Sequence, residues 1–568
     1  MSALRAALTE RIPGGASWRY VFGSGLLFAF SLQVLTGLLL AFQYSPSATD
    51  AWGSVYYIQH RVALGWLVRG LHHFGSSAMV VLAVMHMVQV FVAGAYKAPR
   101  EVNWLTGVLL LGLVLGFALT GYLLPWDQKG YWATRVATNI MGGLPVIGEP
   151  LQTFAQGGPD YGNLTLTRFY ALHVFVLPLG VAAITALHVV LMRRHGVTPP
   201  ASKAPEELER TAGWFWPSQV LMDLMFSLTI LGVLLAVTLG VGAPLDAPAD
   251  PSSDYDARPE WYFLFLFQLL KFFEGPLVLV GTVVLPGLAS VFLVALPFMD
   301  RSVDRRLRAR KLWAGVFFGG LAAVVALTVM ARREDAANEA FQQKLVEAGR
   351  DAREALHYAA DSTWGIDGDG RIVLFEGRRE FRREKCTECH IVGGSYAGTI
   401  EGQEKAPTLD GYLSREWIHR FLQDPSDRRY FGLTRLKRDE DAQTGMPSFA
   451  SLGEPALTEL TEHVASLSGE IYDPPIDLAK AAAGRKRFEE GACSACHTLD
   501  GTAAVGPSLK GYGSRAWLTT LLQNPAAEAF YGEHGAGMPP FDHLSGPQVH
   551  YLTAWLANLK EERASGPR

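Results

Sequence analysis

The stretch Arg69-Gly-Leu-His72-His73-Phe-Gly-Ser-Ser-Ala-Met79-Val-Val-Leu-Ala-Val-Met-His86 decides the architecture. It belongs to an apolar run near the roughly 20 residues that a bilayer-crossing helix requires. An ionisable side chain in such a run is costly, so its presence needs a reason. His72 and His86 are 14 residues apart, close to four helical turns and about 21 Å of rise. They therefore share nearly one face, one near each end of the span, while His73 points about 100° away. A second apolar run holds His173 and His188, 15 residues apart. Two such helices facing each other make two bis-histidine sites stacked across the bilayer. Gly23 and Gly37 in one further run, and Gly107 and Gly121 in another, repeat the 14-residue interval. A residue without a side chain lets a flat macrocycle approach the backbone. The alternative is that these are packing glycines and polar residues bonded to neighbouring helices.

Outward from these runs, seven apolar segments are read at 20–43, 70–95, 103–124, 168–192, 217–242, 276–298 and 313–331. A shorter piece, Glu260–Phe273, follows a proline and reads as an interfacial helix. The 568 residues are 49% hydrophobic and 18% charged, and the excess is uneven: beyond about Arg332 the chain reads as a water-soluble protein. No basic tract suits nucleic acid, and the start lacks the pattern of a cleaved signal peptide. Lys and Arg concentrate around Lys97–Arg100, Arg193–Arg210 and Arg301–Lys311. Basic loops stay cytoplasmic. The expected topology is a multi-pass protein of a bacterial inner (cytoplasmic) membrane, with a cytoplasmic N-terminus and the C-terminal half on the outer, periplasmic side.

Arg69–Met79 resembles the haem-binding helix of the cytochrome b/b6 family. So do Gly121-Tyr-Leu-Leu-Pro-Trp126, Leu166-Thr-Arg-Phe-Tyr-Ala-Leu-His173 and Pro259-Glu-Trp-Tyr262, in the family's order over residues 14–331. The resemblance implies two haem b groups. His72 and His173 would hold the low-potential one near the outer face, and His86 and His188 the high-potential one near the cytoplasm. The 15-residue interval is similar to the b6 branch. Val21 stands where that branch has a cysteine for an extra haem, and this chain continues unbroken where the branch is split in two.

The same resemblance implies a quinol:cytochrome c oxidoreductase. Quinol oxidation needs a base near the outer haem, and Glu260, within Pro259, Glu260, Trp261 and Tyr262, is the candidate. An acid at a helix start can instead serve the helix itself. Tyr131 matches another part of that pocket. Arg193 and Asp223 resemble inner quinone-site residues; Arg193 fits a positive-inside anchor equally well.

The four cysteines fall in two Cys-x-x-Cys-His motifs, Cys386, Cys389, His390 and Cys493, Cys496, His497, which is the attachment pattern of c-type haem. They belong to an internal repeat. Gly377-Arg-Arg-Glu-Phe381, Pro407-Thr-Leu-Asp-Gly-Tyr412, Trp417, Gln423-Asp-Pro425 and Gly445-Met-Pro-Ser-Phe449 match Gly484-Arg-Lys-Arg-Phe488, Pro507-Ser-Leu-Lys-Gly-Tyr512, Trp517, Gln523-Asn-Pro525 and Gly537-Met-Pro-Pro-Phe541. Met446 and Met538 are the expected second axial ligands, and methionine opposite histidine raises a haem's potential. The unmatched His357, His419, His463, His534, His543 and His550 read as surface residues.

The expected fold is all-α: a polytopic membrane helix bundle of about seven spans plus a short interfacial helix, then two tandem cytochrome c-like helical domains. The expected divisions are 1–212 (four-helix haem-binding domain), 213–333 (three-helix domain), 334–372 (helical linker), 373–470 and 471–568 (the two c domains). Expected cofactors are two haem b and two covalently bound haem c. Quinone is the substrate, lipid the surroundings and a homodimer the assembly. No cysteine is left for an iron–sulfur cluster, so a Rieske iron–sulfur protein must be a separate chain, with a downstream cytochrome c or terminal oxidase as acceptor. A simple electron conduit and a structural anchor are the rival classes; the Glu260 motif and the intramembrane histidines respectively count against them.

Overall fold

The computed structural model describes residues 10–360, 372–392, 406–427, 429–430, 446–472, 474–502, 504–531 and 538–560. Gly445, His534, Gly537 and part of the expected linker lie outside these. The chain divides into two compact units, Met1–Leu356 and His357–Arg568.

In the first unit, seven helices among the described residues are long and apolar enough to cross a membrane. They are α1 (Trp18–Ala41), α2 (Gly65–Ala93), α3 (Glu101–Tyr122), α4 (Asn163–His195), α5 (Phe215–Gly240), α6 (Val280–Met299) and α7 (Lys311–Ala337). All seven expected spans are present, with ends shifted by a few residues, and the short apolar helix runs over Trp261–Leu270. Their outward faces carry large apolar side chains: Leu35 is 58% exposed, Leu179 71% and Val291 62%. A water-soluble bundle would not leave such stripes bare; against lipid they are the expected coat.

Inside, the helices lock through buried clusters. Ala29, Met79, Val80, Leu82, Val114 and Ala118 join α1, α2 and α3, with Tyr262 closing one side. Phe91, Tyr96, Trp104, Leu296 and Phe317 tie α2 and α3 to α6 and α7, with the Phe91 and Phe317 rings stacked at 4.0 Å. Beside that cluster, Lys97 and Asp300 form a buried ion pair at 2.7 Å, and Tyr96 also donates to Asp300. At the His72 end, Leu123, Trp126, Tyr131, Leu166 and Phe169 form another cluster. Among the described residues the only strands are Arg11–Ile12 and Gly213–Trp214, paired antiparallel.

The second unit is built from short helices: α8 (Val373–Arg383), α9 (Arg415–Gln423), α10 (Glu454–Ser466), α11 (Leu478–Glu490), α12 (Arg515–Gln523) and α13 (Gly546–Asn558). The repeat read in the sequence is a repeat in space. Ser414 and Ser514 each cap a helix, accepting from Trp417 N and Trp517 N at 3.1 Å. Phe449 N donates to Leu422 O at 3.0 Å, and Phe541 N to Leu522 O at 2.8 Å.

Candidate functional site

The four membrane histidines form two pairs. The ring centres of His72 and His173 lie 6.2 Å apart with planes crossed at 74°. Those of His86 and His188 lie 6.4 Å apart at 73°. An imidazole nitrogen about 2 Å from a central iron, with the ring centre about 1 Å further out, sets opposed ring centres about 6 Å apart. Both pairs are therefore spaced for one metal centre each.

The hydrogen bonds fix which nitrogen faces inward. Thr36 Oγ1 donates to Leu32 O at 2.7 Å, Thr106 Oγ1 to Asn103 O at 2.8 Å and Thr120 Oγ1 to Gly116 O at 2.9 Å. Each hydroxyl has spent its one proton. It must therefore accept from its histidine: His72 Nδ1 at 3.0 Å, His188 Nδ1 at 2.8 Å and His173 Nδ1 at 3.1 Å. For His86 the acceptor is Gln89 Oε1 at 2.9 Å. Nδ1 carries the hydrogen in all four, which leaves the Nε2 lone pair for a ligated atom; this is how a second partner orients a metal-binding histidine.

The glycines act one to one. A Cβ on Gly121 would lie 2.5 Å from His173 Cε1, on Gly37 3.0 Å from His72 Cε1, on Gly107 3.3 Å from His188 Cε1 and on Gly23 3.6 Å from His86 Cε1. They thus make room for the histidine rings, α1 for those of α2 and α3 for those of α4. The threonines were missed in the sequence, although a signal was there: three of the four glycines directly follow Thr36, Thr106 and Thr120. The 15-residue interval in α4 has a physical account too. Leu172–Val176 is a π turn containing His173. It absorbs one residue and returns His173 to the face of His188.

The Pro259–Tyr262 segment lies against the His72 end of α2: Trp261 Nε1 donates to Ser77 Oγ at 3.2 Å, one turn beyond His73. Glu260 stands at the start of the short turn Trp261–Phe263 without capping it. Its carboxylate instead meets Lys129 Nζ at 3.0 Å. Burial pushes the Glu260 carboxyl up, but Lys129, His73 and the Trp261 N–H together hold it below its ordinary value. Sequence reasoning missed Lys129, which belongs to the helix Gln128–Gly142. Asp127 caps that helix, accepting from Gly130 N at 2.8 Å. Burial pushes the carboxyls of Asp127 and Asp246 up, and Asp246 raises Asp127 further. Tyr131, one turn into the helix, is buried with its ring 5.5 Å from those of Trp126, Trp132 and Tyr161. Lys129, rather than Tyr131, is the group by which this helix meets Glu260.

At the other end, Arg193 Nη1 pairs with Glu10 Oε2 at 2.8 Å, and Asp223 Oδ1 accepts from Gln219 Nε2 at 2.9 Å. The two residues form separate contacts.

In the second unit, His390 Nδ1 donates to Pro407 O and His497 Nδ1 to Pro507 O, both at 2.8 Å. Nε2 is again the free nitrogen, and burial holds His390 below its ordinary pKa, in the neutral form that ligates. None of the four cysteines is joined in a disulfide, and burial pushes the Cys386 thiol up to about 12. Among the described residues no three His, Cys, Asp or Glu side chains cluster as a metal cage. Met446 and Met538 are both half-buried. Of the histidines expected at the surface, His463 is buried, its ring packed 5.6 Å from that of Phe488; its helix α10 faces another helix rather than water.

The donor set therefore fits haem: opposed imidazoles in the membrane, and a thiol pair beside an oriented imidazole in each soluble repeat. The family described as "Cytochrome b/b6/petB" matches residues 8–196, "Cytochrome b(C-terminal)/b6/petD" matches 248–346, and "Cytochrome C oxidase, cbb3-type, subunit III" matches 479–556, the second repeat. The chain is 46% identical over 182 residues to the menaquinol:cytochrome c reductase cytochrome b subunit of Bacillus subtilis, covering 32% of this chain and 81% of that protein. It is similar to a chain of a solved hyperthermophilic respiratory Complex III, with a TM-score of 0.50 at 28% identity, covering 56% of this chain and 84% of that one. The histidine pairs, the paired glycines and these matches agree: the chain belongs to the cytochrome b/b6 family and carries a C-terminal cytochrome c region of the cbb3 type.

Proposed function

We propose that the chain is the electron-transferring subunit of a bc-type quinol:cytochrome c oxidoreductase, oxidising quinol beside the His72/His173 pair. The observation that carries this is Glu260: a largely buried carboxylate, ionised by Lys129 and held against the His72 end of α2. It is poised to accept a hydroxyl proton as quinol loses electrons. Pro259, Trp261 and Tyr262 shape that pocket, and Tyr131 stiffens the helix that brings Lys129. Arg193 and Asp223 flank the opposite end and serve quinone reduction there.

His72 with His173 and His86 with His188 would hold two haem b; Cys386, Cys389, His390 and Cys493, Cys496, His497, with Met446 and Met538, would hold two haem c. When bound, these groups supply one-electron transfer, across the membrane through the b pair and outward through the c pair. The Rieske iron–sulfur protein is a separate chain that takes the first electron. Proton release outside and uptake inside then conserve energy. The loop charges support a cytoplasmic N-terminus and a periplasmic C-terminal region, and the complex is a homodimer.

The test is a redox-titrated visible spectrum of the purified complex with a pyridine haemochrome assay. The expected result is two b and two c haems per chain, the b haems titrating below the c haems, and quinol-dependent cytochrome c reduction that Glu260→Gln depresses by tenfold or more, in the range of a general base's contribution. A single b haem, or full activity in Glu260→Gln, overturns the reading.

A further inference from the structure

Within each repeat the two helices after the cysteine motif pack together, α9 on α10 and α12 on α13, but the first helix of a repeat packs on the last helix of the other. The first helix of the first repeat, α8, packs on the last helix of the second, α13. A Cβ on Gly377 would lie 2.1 Å from Tyr551 O and 2.5 Å from Trp555 Cβ, so only glycine permits that crossing. Phe381 meets Trp555 at 4.8 Å between ring centres, and Gln548 Nε2 donates to Glu380 Oε2 at 3.2 Å. The reciprocal pair is α11 of the second repeat on α10 of the first. A Cβ on Gly484 would lie 2.0 Å from Glu459 O and 2.9 Å from His463 Cβ. Arg487 pairs with Glu459, and the ring of His463 packs on Phe488. The matched glycines of the repeat, Gly377 and Gly484, thus each receive the last helix of the other copy.

The segments between the halves meet each other. Gly411-Tyr412-Leu413-Ser414 and Gly511-Tyr512-Gly513-Ser514 touch through Leu413, whose Cδ2 is 2.5 Å from where a Gly513 Cβ would stand, and through the two tyrosine rings at 6.5 Å. Gly411, Leu413, Gly511 and Gly513 all have φ between 64° and 77°, a turn at the same place in both copies. Two copies that exchange halves cross at equivalent hinge segments, as these do. The contacts kept within a copy lie on one side of this hinge or flank it. On the cysteine side, His390 holds Pro407 and Leu409 N donates to Ile391 O; on the methionine side, Phe449 N holds Leu422 O. Thr408 N to Arg429 O straddles the turn itself. The methionine loop therefore travels with the last helix. In the second repeat that loop is tied to the first haem motif: His543 Nε2 bonds Glu384 Oε2 at 2.9 Å, two residues before Cys386.

We infer that the axial methionines are exchanged between repeats: Met538 belongs to the group attached at Cys386, Cys389 and His390, and Met446 to that at Cys493, Cys496 and His497. This rests on reading both Cys-x-x-Cys-His motifs as haem c sites. The two c centres then form one interlocked body, and neither repeat is a complete electron carrier alone.

The experiment uses the full chain with one motif disabled. With Cys386→Ala and Cys389→Ala, the remaining c haem is expected to lose its methionine-to-iron charge-transfer band when Met446→Ala is added, and to keep it with Met538→Ala. With Cys493→Ala and Cys496→Ala the dependence reverses. Loss of the band with the methionine of the same repeat overturns the exchange. Should the single-haem chains fail to accumulate, an experimental density map of the unmutated two-haem protein, traced from each iron-bound sulfur into its following helix, decides the same question. Absence of c haem in the unmutated protein by pyridine haemochrome would instead refute the haem reading beneath it.

Discussion

Replacing Lys129 with methionine separates the charge of the Glu260 carboxylate from its position. At 3.0 Å, a full pair of charges at an effective dielectric constant near 20 is worth about 5.5 kcal/mol. The Lys129 side chain is 38% exposed, so water screens most of that, and exposed pairs measure nearer 1 kcal/mol. Glu260 is mostly buried, at 19%, which places the working value between these limits. A neighbouring opposite charge lowers a carboxyl's pKa, and this screening weakens the effect without reversing it. The sign follows from the causes. Burial raises Glu260, and Lys129 is the foremost opposing influence. Without it, burial prevails and the pKa rises. In the wild type the carboxylate is ionised through the neutral range, so the acid limb of the pH–rate profile for quinol oxidation lies below the ordinary Glu value. In Lys129→Met that limb moves up, with the rate at high pH retained. The assay is kcat/KM for quinol-dependent cytochrome c reduction over a pH range that reaches well below the ordinary Glu value and up to the plateau, with Lys129→Arg as the charge-retaining control. The same linkage predicts that the pair stabilises the loop above the unfolded Glu pKa and ceases to as pH falls through the folded one. An acid limb that stays put in Lys129→Met, or moves down, refutes the assignment of Lys129 as the group that sets the proton acceptor.

Gly121→Ala drives a methyl group to within 2.5 Å of His173 Cε1; the b-haem content in difference spectra is expected to fall by about half, the His72/His173 centre being lost and the other kept. Thr106→Val removes the acceptor at His188 Nδ1 and should weaken retention of that haem about 10–100-fold, measured by its dissociation under mild denaturant. Lys97→Met strips the opposite charge from the buried Asp300, leaving it the Tyr96 hydroxyl, and should cost about 3–5 kcal/mol, seen as a lowered midpoint when loss of the b-haem spectrum is followed against denaturant in detergent.

The spans were legible because a bilayer imposes one length and one composition on each of them, and the histidine pairing because four turns of helix impose one interval on His72 and His86. What escaped the reading is lateral. Periodicity along a helix says which residues share a face but not which neighbour that face meets. Thr36, Thr106 and Thr120 orient histidines 36, 82 and 53 positions away, and Lys129 meets an acid 131 positions on. The π turn at His173 escaped for a related reason: an interval of 15 reads as a misaligned face unless the extra residue is known to be absorbed locally. The repeat in the soluble half shows the same limit at a larger scale. Matched motifs establish that two copies of one unit exist, and a chain that carries both can close each unit on itself or on the other with the same buried surfaces. The intervening length selects between these closures, since the loop from α10 to α11 spans only residues 467–477. A connection that short keeps the last helix of the first copy beside the first helix of the second. It thereby favours, by effective concentration alone, the crossing that Gly484 accepts from Glu459 and His463 over one reached through the whole first copy.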